Sequence, residues 1–204
     1  MINIVNLKID YNKKNIIENF NLSIKKGEKV VITGVSGSGK SSILKAILGF
    51  IIPSSGDILI NGERLTAKTV NSFRRNMCYV SQGIDFPNEK ISVLIEEIFN
   101  YKNNKKYKKN IEKLEHYLKL FNLDSSILEK NIDELSGGEK QRIGIVIALL
   151  LDREIFILDE ITSALDSEMK KKTVNYFFNA DKTVIAVSHD SEWIEPGIAR
   201  EVRI

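Results

Sequence analysis

Cysteine is nearly absent from this chain of 204 residues: Cys78 is the only one, set in the apolar run Met77-Cys78-Tyr79-Val80. A lone thiol makes no internal disulfide, so a reducing compartment fits. Long apolar runs are missing too. The longest, Ile143 to Leu151, is only about half of the roughly 20 residues that a helical membrane span needs. The opening Met1-Ile2-Asn3-Ile4-Val5-Asn6 has no secretory-signal pattern. The expectation is a soluble protein that needs another chain for any membrane role. Charge of one sign is not in excess either: 30 Lys and Arg face 27 Asp and Glu, a net +3. That balance is too mild to argue for nucleic acid. Internal repeats and low-complexity tracts are absent beyond a general richness in Lys, Asn and Ile. What remains, 43% hydrophobic and 28% charged, is globular composition rather than disorder. The length suits one domain over residues 1–204, with room for an inserted lobe.

The most informative stretch is Gly34-Val35-Ser36-Gly37-Ser38-Gly39-Lys40-Ser41, which is G-x-x-x-x-G-K-S. Before it runs the β-branched Lys29-Val30-Val31-Ile32-Thr33, and after it Ser42-Ile43-Leu44-Lys45-Ala46-Ile47-Leu48 at helical spacing. Strand, glycine loop and helix are the context in which this pattern binds phosphate. Glycines admit a polyphosphate close to the backbone, successive N–H groups form an anion nest, and the helix start adds its positive end. Lys40 is expected on the β- and γ-phosphates, and Ser41 on Mg²⁺. The alternative is a glycine-rich turn with a surface lysine.

Around that loop the texture alternates between sheet and helix. Ile2 to Ile9 reads as a half-exposed strand, Asp10 to Asn15 as a polar turn, and Leu22-Ser23-Ile24 as the start of a second strand. Asp57-Ile58-Leu59-Ile60 followed by Asn61-Gly62 reads as strand and hairpin turn. These early strands are expected to form a small antiparallel sheet beside the main one. From about residue 85 to 135 helical spacing dominates, as at Ile111, Leu114, Leu118 and Phe121. This is the expected helical subdomain. It carries a basic cluster, Lys102, Lys105, Lys106, Lys108 and Lys109, read as a solvated face with anionic lipid or a partner as the alternative. His116 has no second ligand at metal spacing and reads as a surface histidine.

Val30–Thr33, Met77–Val80, Ile155–Leu158 and Val184–Val187 are continuous apolar runs, the pattern of parallel strands covered on both faces. Each is followed by polar residues: the phosphate loop, Gln82, Asp159-Glu160 and Ser188-His189. Ligands of parallel α/β sheets bind at the carboxyl edge, so these groups are expected to converge on one nucleotide. Asp159 stands where a carboxylate holds Mg²⁺, and Glu160 beside it is free to orient or deprotonate water. Alone, Asp159-Glu160 would read equally well as an acidic turn. Gln82 is either a holder of water or metal or a plain loop amide; His189 either donates to the γ-phosphate or caps a helix.

Leu135-Ser136-Gly137-Gly138-Glu139-Lys140-Gln141 opens a further helix with the capping-box pattern S-x-x-E at Ser136 and Glu139. Its two glycines each disfavour a helix by about 1 kcal/mol relative to alanine. They make sense if a phosphate approaches that backbone.

Residues 34–41, Gln82, 135–141, 155–160, Ser163-Ala164-Leu165-Asp166 and His189 together resemble the ABC ATPase family, in the family's order and over nearly the whole chain. The resemblance implies the ABC ATPase fold: a P-loop NTPase core with a mostly parallel sheet, an antiparallel β subdomain and an inserted α-helical subdomain. It implies ATP and Mg²⁺ as cofactors. Ser36, Gly37, Ser38, Gly39, Lys40, Ser41 and Ser42, with Gly34, would hold the phosphates, while Ser41, Gln82 and Asp159 would hold the metal. It implies a head-to-tail homodimer in which Ser136, Gly137, Gly138 and Gln141 of one copy close on ATP held by Lys40 of the other, with Asp166 acting across the interface. By the same resemblance Glu160 is the general base, His189 the γ-phosphate switch and Tyr11 the aromatic stacked on adenine.

Ile132-Asp133-Glu134-Leu135, and Ile161 after Asp159-Glu160, look like the small stand-alone subunits of the bacterial iron-export type. The chain stops at Ile204, and no C-terminal regulatory domain is expected.

The leading expectation is an ATPase subunit, cytoplasmic and peripheral on the membrane's inner face, that drives a separate permease docked near Ile84, Phe86 and Pro87. The competing class is a non-transport ATPase acting on DNA or ribosomes. Chromosome-acting relatives carry a long coiled coil for which residues 82–135 leave no room, and no nucleic-acid partner is expected. A regulator without turnover is argued against by Glu160.

Overall fold

Two strand patterns give two sheets. The computed structural model describes residues 1–11, 14–194 and 199–204. Strands β1 (Ile2–Tyr11), β2 (Lys14–Ile24), β4 (Ser55–Ile60) and β5 (Glu63–Arg64) form an antiparallel sheet in the order β2-β1-β4-β5. The second sheet is parallel: β6 (Met77–Val80), β7 (Ile155–Asp159), β8 (Thr183–Val187), β3 (Lys29–Thr33) and β9 (Arg200–Arg203), in that spatial order.

The second strand begins at Lys14, well before Leu22. Its sequence pattern is weak because it is an edge strand whose Asn15, Glu18, Asn19 and Asn21 face water or the strand rim. Strand also replaces most of the expected turn from Asp10 to Asn15, of which Asn12 and Lys13 lie outside the described residues.

The parallel strands are buried on both faces, as their unbroken apolar runs demand. One face, with Val30, Ile32, Ile155, Ile157 and Ile185, packs on the antiparallel sheet and on α1 (Lys40–Ile47). The other, with Val31, Phe156, Leu158, Val184 and Ala186, packs on α5 (Gly137–Leu151) and α6 (Ser167–Asn179). Each such side chain taken fully from water contributes roughly 1.5–3 kcal/mol. Apolar almost all round, α5 is buried from Ile143 to Leu150.

A short helix α2 (Val70–Arg74) precedes β6. Between β6 and β7 run α3 (Ile91–Asn100), a 3₁₀ stretch Lys105–Lys113, α4 (Leu114–Leu120) and shorter 3₁₀ turns at Ser125–Glu129 and Ile132–Glu134. Phe99, Leu118, Phe121 and Ile132 carry this segment's core and join it to α5. His116 is exposed. Cys78 is buried, and burial pushes its thiol up to about 12, so it is an inert core residue. Among the described residues no helix is long and apolar enough to cross a membrane.

Candidate functional site

The carboxyl ends of β3, β7 and β8 lie side by side, with β6 next to β7, because parallel pairing aligns Val80 with Leu158, Asp159 with Val187 and Val187 with Ile32. Every polar group following these strands therefore emerges on one edge. A cleft of about 630 Å³ opens there, lined by Tyr11, Ser36, Gly37, Gly39, Lys40, Ser41, Ser42, Gln82 and Glu160, with Ile9 and Ile16 as apolar wall.

The phosphate loop enters α1 without a side-chain cap. Its N-cap is Gly39, at φ 98°, a left-handed conformation where a side chain is strained. A Cβ there would also meet Ile16 and Ile17 at 2.8 Å. Lys40 is buried and its Nζ donates to the carbonyls of Gly34 and Val35, both at 2.9 Å. The ammonium thus stands at the loop mouth, held by neutral acceptors that an anionic oxygen outcompetes. Gly34 and Ser38 complete the loop.

Two short hydrogen-bonded sets sit against it. In the first, Ser41 Oγ donates to Asp159 Oδ1 at 2.9 Å, and Tyr79 OH to Asp159 Oδ2 at 3.3 Å. Burial, then the charge and hydrogen bond of Asp159, push the Tyr79 hydroxyl up to about 12, so it remains a donor. In the second, Gln82 Nε2 donates to Glu160 Oε2 at 2.8 Å, with His189 Nε2 3.7 Å from Glu160 Oε1. Glu160 has φ 49°, a left-handed backbone that is uncommon for a residue with a side chain. It is held there because its N–H donates to Val187 O and its carbonyl accepts from Ser163 N and Oγ.

Oxygen donors from Ser41, Asp159 and Gln82 are the hard set that Mg²⁺ takes, and few protein ligands suffice because phosphates supply the rest. Among the described residues no group of three His, Cys, Asp or Glu is placed to hold a metal ion by itself.

The remaining candidates lie elsewhere. Ser136 caps α5: its Oγ accepts from Glu139 N at 3.2 Å and donates to Glu139 Oε2 at 2.8 Å, and its own N–H donates to Glu139 Oε2 at 2.9 Å. Gly137 faces open space, whereas a Cβ on Gly138 would lie 3.1 Å from Ala164 O. Close approach to the chain before Asp166 therefore explains Gly138 without any phosphate. Asp166 caps α6, accepting from Met169 N at 2.9 Å. Gln141 needs correction: it is 2% exposed, and its Nε2 donates to Ser81 O at 3.2 Å, so it braces the strand end that carries Gln82 and has no free surface for a second copy's nucleotide.

Sequence reasoning missed Tyr79, Thr162, Lys170 and Asp190. Asp190 is gripped by Lys170 Nζ and Thr162 Oγ1, both at 2.6 Å, and Trp193 Nε1 donates to Thr162 Oγ1 at 3.1 Å. Burial raises the Asp190 carboxyl, but the Lys170 and Thr162 hydrogen bonds outweigh it and hold it below the usual range. This network fixes the loop that presents His189. Its one signal in the sequence is Trp193, a large aromatic close behind His189-Asp190 in an otherwise polar stretch.

The profile of the ABC transporter family matches residues 17–163, and the chain belongs to that family. It is an ATP-hydrolysing cassette. The probable iron export ATP-binding protein FetA of Escherichia coli is 38% identical over 88% of this chain and 80% of its own length. A probable ATP-binding/permease protein of Haemophilus influenzae is 37% identical over 92% of this chain, which spans only 35% of that protein. Among solved structures, the dimeric post-hydrolysis state of an ATP-binding cassette bound to ADP and Pi matches with TM-score 0.79 and 28% identity, over 95% of this chain and 90% of that one. The expected ABC ATPase fold is borne out.

Proposed function

We propose that this chain is the ATPase subunit of a transporter, that it works as a head-to-tail pair of copies, and that it drives a separate permease from the inner face of the membrane. The observation that carries the reading is the placement of Glu160 between Gln82 and His189 at the mouth of the cleft that holds Lys40 and Ser41. Tyr11, 69% exposed on the cleft wall, offers its ring to the base. Lys40 leaves its loop carbonyls for the β- and γ-phosphates. Mg²⁺, when bound, neutralises phosphate charge; Ser41, Asp159 and Gln82 are its holders. Glu160 accepts a proton from, or orients, the attacking water, and His189 donates toward the γ-phosphate. We assign Ser136, Gly137 and Gly138, which lie outside this cleft, to a second copy's ATP, with Asp166 alongside. Gln141 is a positioning residue for Gln82.

We assign residues 85–135 as a helical subdomain within one domain. The permease is expected in the groove of about 230 Å³ formed by Ile84, Asp85 and Phe86 against Gly144, Ile147 and Leu151. Ile84 fills the notch left by Gly144: a Cβ there would collide with its Cδ1. The match to FetA over most of its length supports the iron-export type. The test is co-purification from detergent extract. The expected result is a membrane protein that raises ATP turnover; recovery of rRNA or DNA with no membrane protein would replace this reading with the non-transport class. Unchanged cell iron in a strain lacking the chain would remove the iron assignment.

A further inference from the structure

The stretch from Tyr101 to Lys113 holds six lysines, and Glu112 is its sole carboxylate. All six lysines are exposed, and among the described residues none pairs with a carboxylate. Elsewhere Lys8, Arg64, Lys90, Lys170, Lys182 and Arg200 do. The stretch is nevertheless firmly anchored. Arg153, 6% exposed, donates to Asn104 Oδ1 and to the carbonyl of Arg75, with its guanidinium 4.9 Å from the Tyr107 ring centre. Asn110 Nδ2 donates to Leu150 O at 2.9 Å. The anchor is itself cationic and has no carboxylate partner among the described residues, so it adds to the positive field.

Exposed apolar groups lie on segments tied to it through Arg153 and Arg75. Arg75 follows Arg74, whose guanidinium lies 4.4 Å over the Phe50 ring and whose Nε donates to Leu48 O at 2.7 Å. Phe50 is 60% exposed, its near neighbour Ile52 91% and Tyr101 63%. Unneutralised lysines flanked by exposed aromatic and aliphatic side chains match the interfacial zone of an anionic bilayer, where cations meet headgroups and rings sit at their level. The C-terminal half of α5 carries both Leu150, which holds Asn110, and Leu151 of the groove assigned above to the permease. The basic face and that groove are thus neighbours, and this orientation toward a membrane rests on the transporter reading.

We propose that the Tyr101–Lys113 face, with Phe50 and Ile52, contacts the anionic lipid surface directly. An acidic protein loop would need matched geometry for scattered lysines, whereas a fluid headgroup layer does not. A lysine near such a surface strengthens binding roughly fivefold.

The test is flotation of the purified chain with vesicles of phosphatidylcholine containing phosphatidylglycerol, against vesicles of phosphatidylcholine alone. The expected result is binding to the first only, weakening as salt shortens the Debye length below about 10 Å. Replacing Lys105, Lys106, Lys108 and Lys109 together by Gln should weaken it on the order of several hundredfold, with the circular dichroism spectrum and basal ATP turnover unchanged. Ile52→Ser should weaken it severalfold, and by the same factor at low and high salt. Equal binding by the four-lysine variant overturns the proposal, as does a wild-type chain that ignores anionic vesicles but holds duplex DNA or the permease through these lysines. No permease enters the vesicle arm. Vesicle binding without a co-purifying membrane protein therefore removes the transporter reading and leaves the lipid face standing.

Discussion

Two helices of this chain start at glycines and are poised differently. At α1 no side chain caps the helix, Gly39 takes a left-handed turn, and the loop faces an open cleft. At α5 the start is closed by its own chain, because Ser136 and Glu139 satisfy each other in a complete capping box. The first start turns its backbone toward a cleft of the same copy; the second is satisfied by its own side chains. A helix start that binds anions needs free N–H groups. The difference therefore separates an α1 start left open toward a cleft of its own copy from an α5 start whose cap is closed within the chain; under the proposed pairing, α5 meets phosphate only in a second copy's cleft.

The sharpest break of this comparison lies in the chemistry that α1 alone cannot perform. Glu160→Gln should lower steady ATP turnover by about 10²–10⁴-fold, the range for losing a general base. ATP-bound pairs should accumulate, read by phosphate release and size-exclusion chromatography. Turnover unchanged in that variant removes the general-base assignment.

Next, Ser136→Ala should cut turnover on the order of a hundredfold if its hydroxyl serves charge stabilisation on the partner's phosphate. ATP affinity of the dilute single copy should stay within about twofold, since α1 is untouched. The cap loss should cost about 1 kcal/mol in urea unfolding. A Ser136 variant that binds ATP poorly when dilute would erase the distinction between the two starts.

Tyr11→Ala belongs to the α1 side alone. It should weaken ATP binding about tenfold, as loss of one ring-on-base stack does, with little change in turnover at saturating ATP.

The smallest effect is a pH dependence on the α5 side. Hydrogen bonds from the backbone and then the side chain of Ser136 hold the Glu139 carboxyl below its ordinary value. A group depressed on folding contributes stability above its unfolded pKa of about 4.3. That contribution fades as pH falls through the lower folded value. Exposure limits it to about 0.5 kcal/mol. Glu139→Gln should flatten unfolding free energy against pH below about 4.3 and leave the slope above it alone.

Much of the fold and of the site is legible in the amino-acid sequence. The phosphate loop declares itself because glycine spacing and flanking periodicity agree, and the parallel strands because Ile155–Leu158 and Val184–Val187 have no polar alternation to hide a face. Asp159 and Glu160 follow from strand ends. What stays hidden is decided by partners distant in the chain. Gln141 looks like surface in a polar motif but is drawn inward to Ser81, 60 residues away. Gly138 answers to Ala164. Tyr79 reads as one more strand aromatic until pairing brings it to Asp159. The early edge strand hides behind its own exposed asparagines.

The claim that each catalytic centre is shared between copies is tested most directly by mixing two dead variants. Lys40→Ala removes the α1 half and Ser136→Ala the α5 half. In a mixed pair one site keeps Lys40 from one chain and Ser136 from the other. The account predicts that combining the two restores turnover in proportion to mixed pairs, up to about a quarter of wild type for random pairing of equal amounts by the additive reading of independent sites. A mixture no more active than its separate components would contradict it.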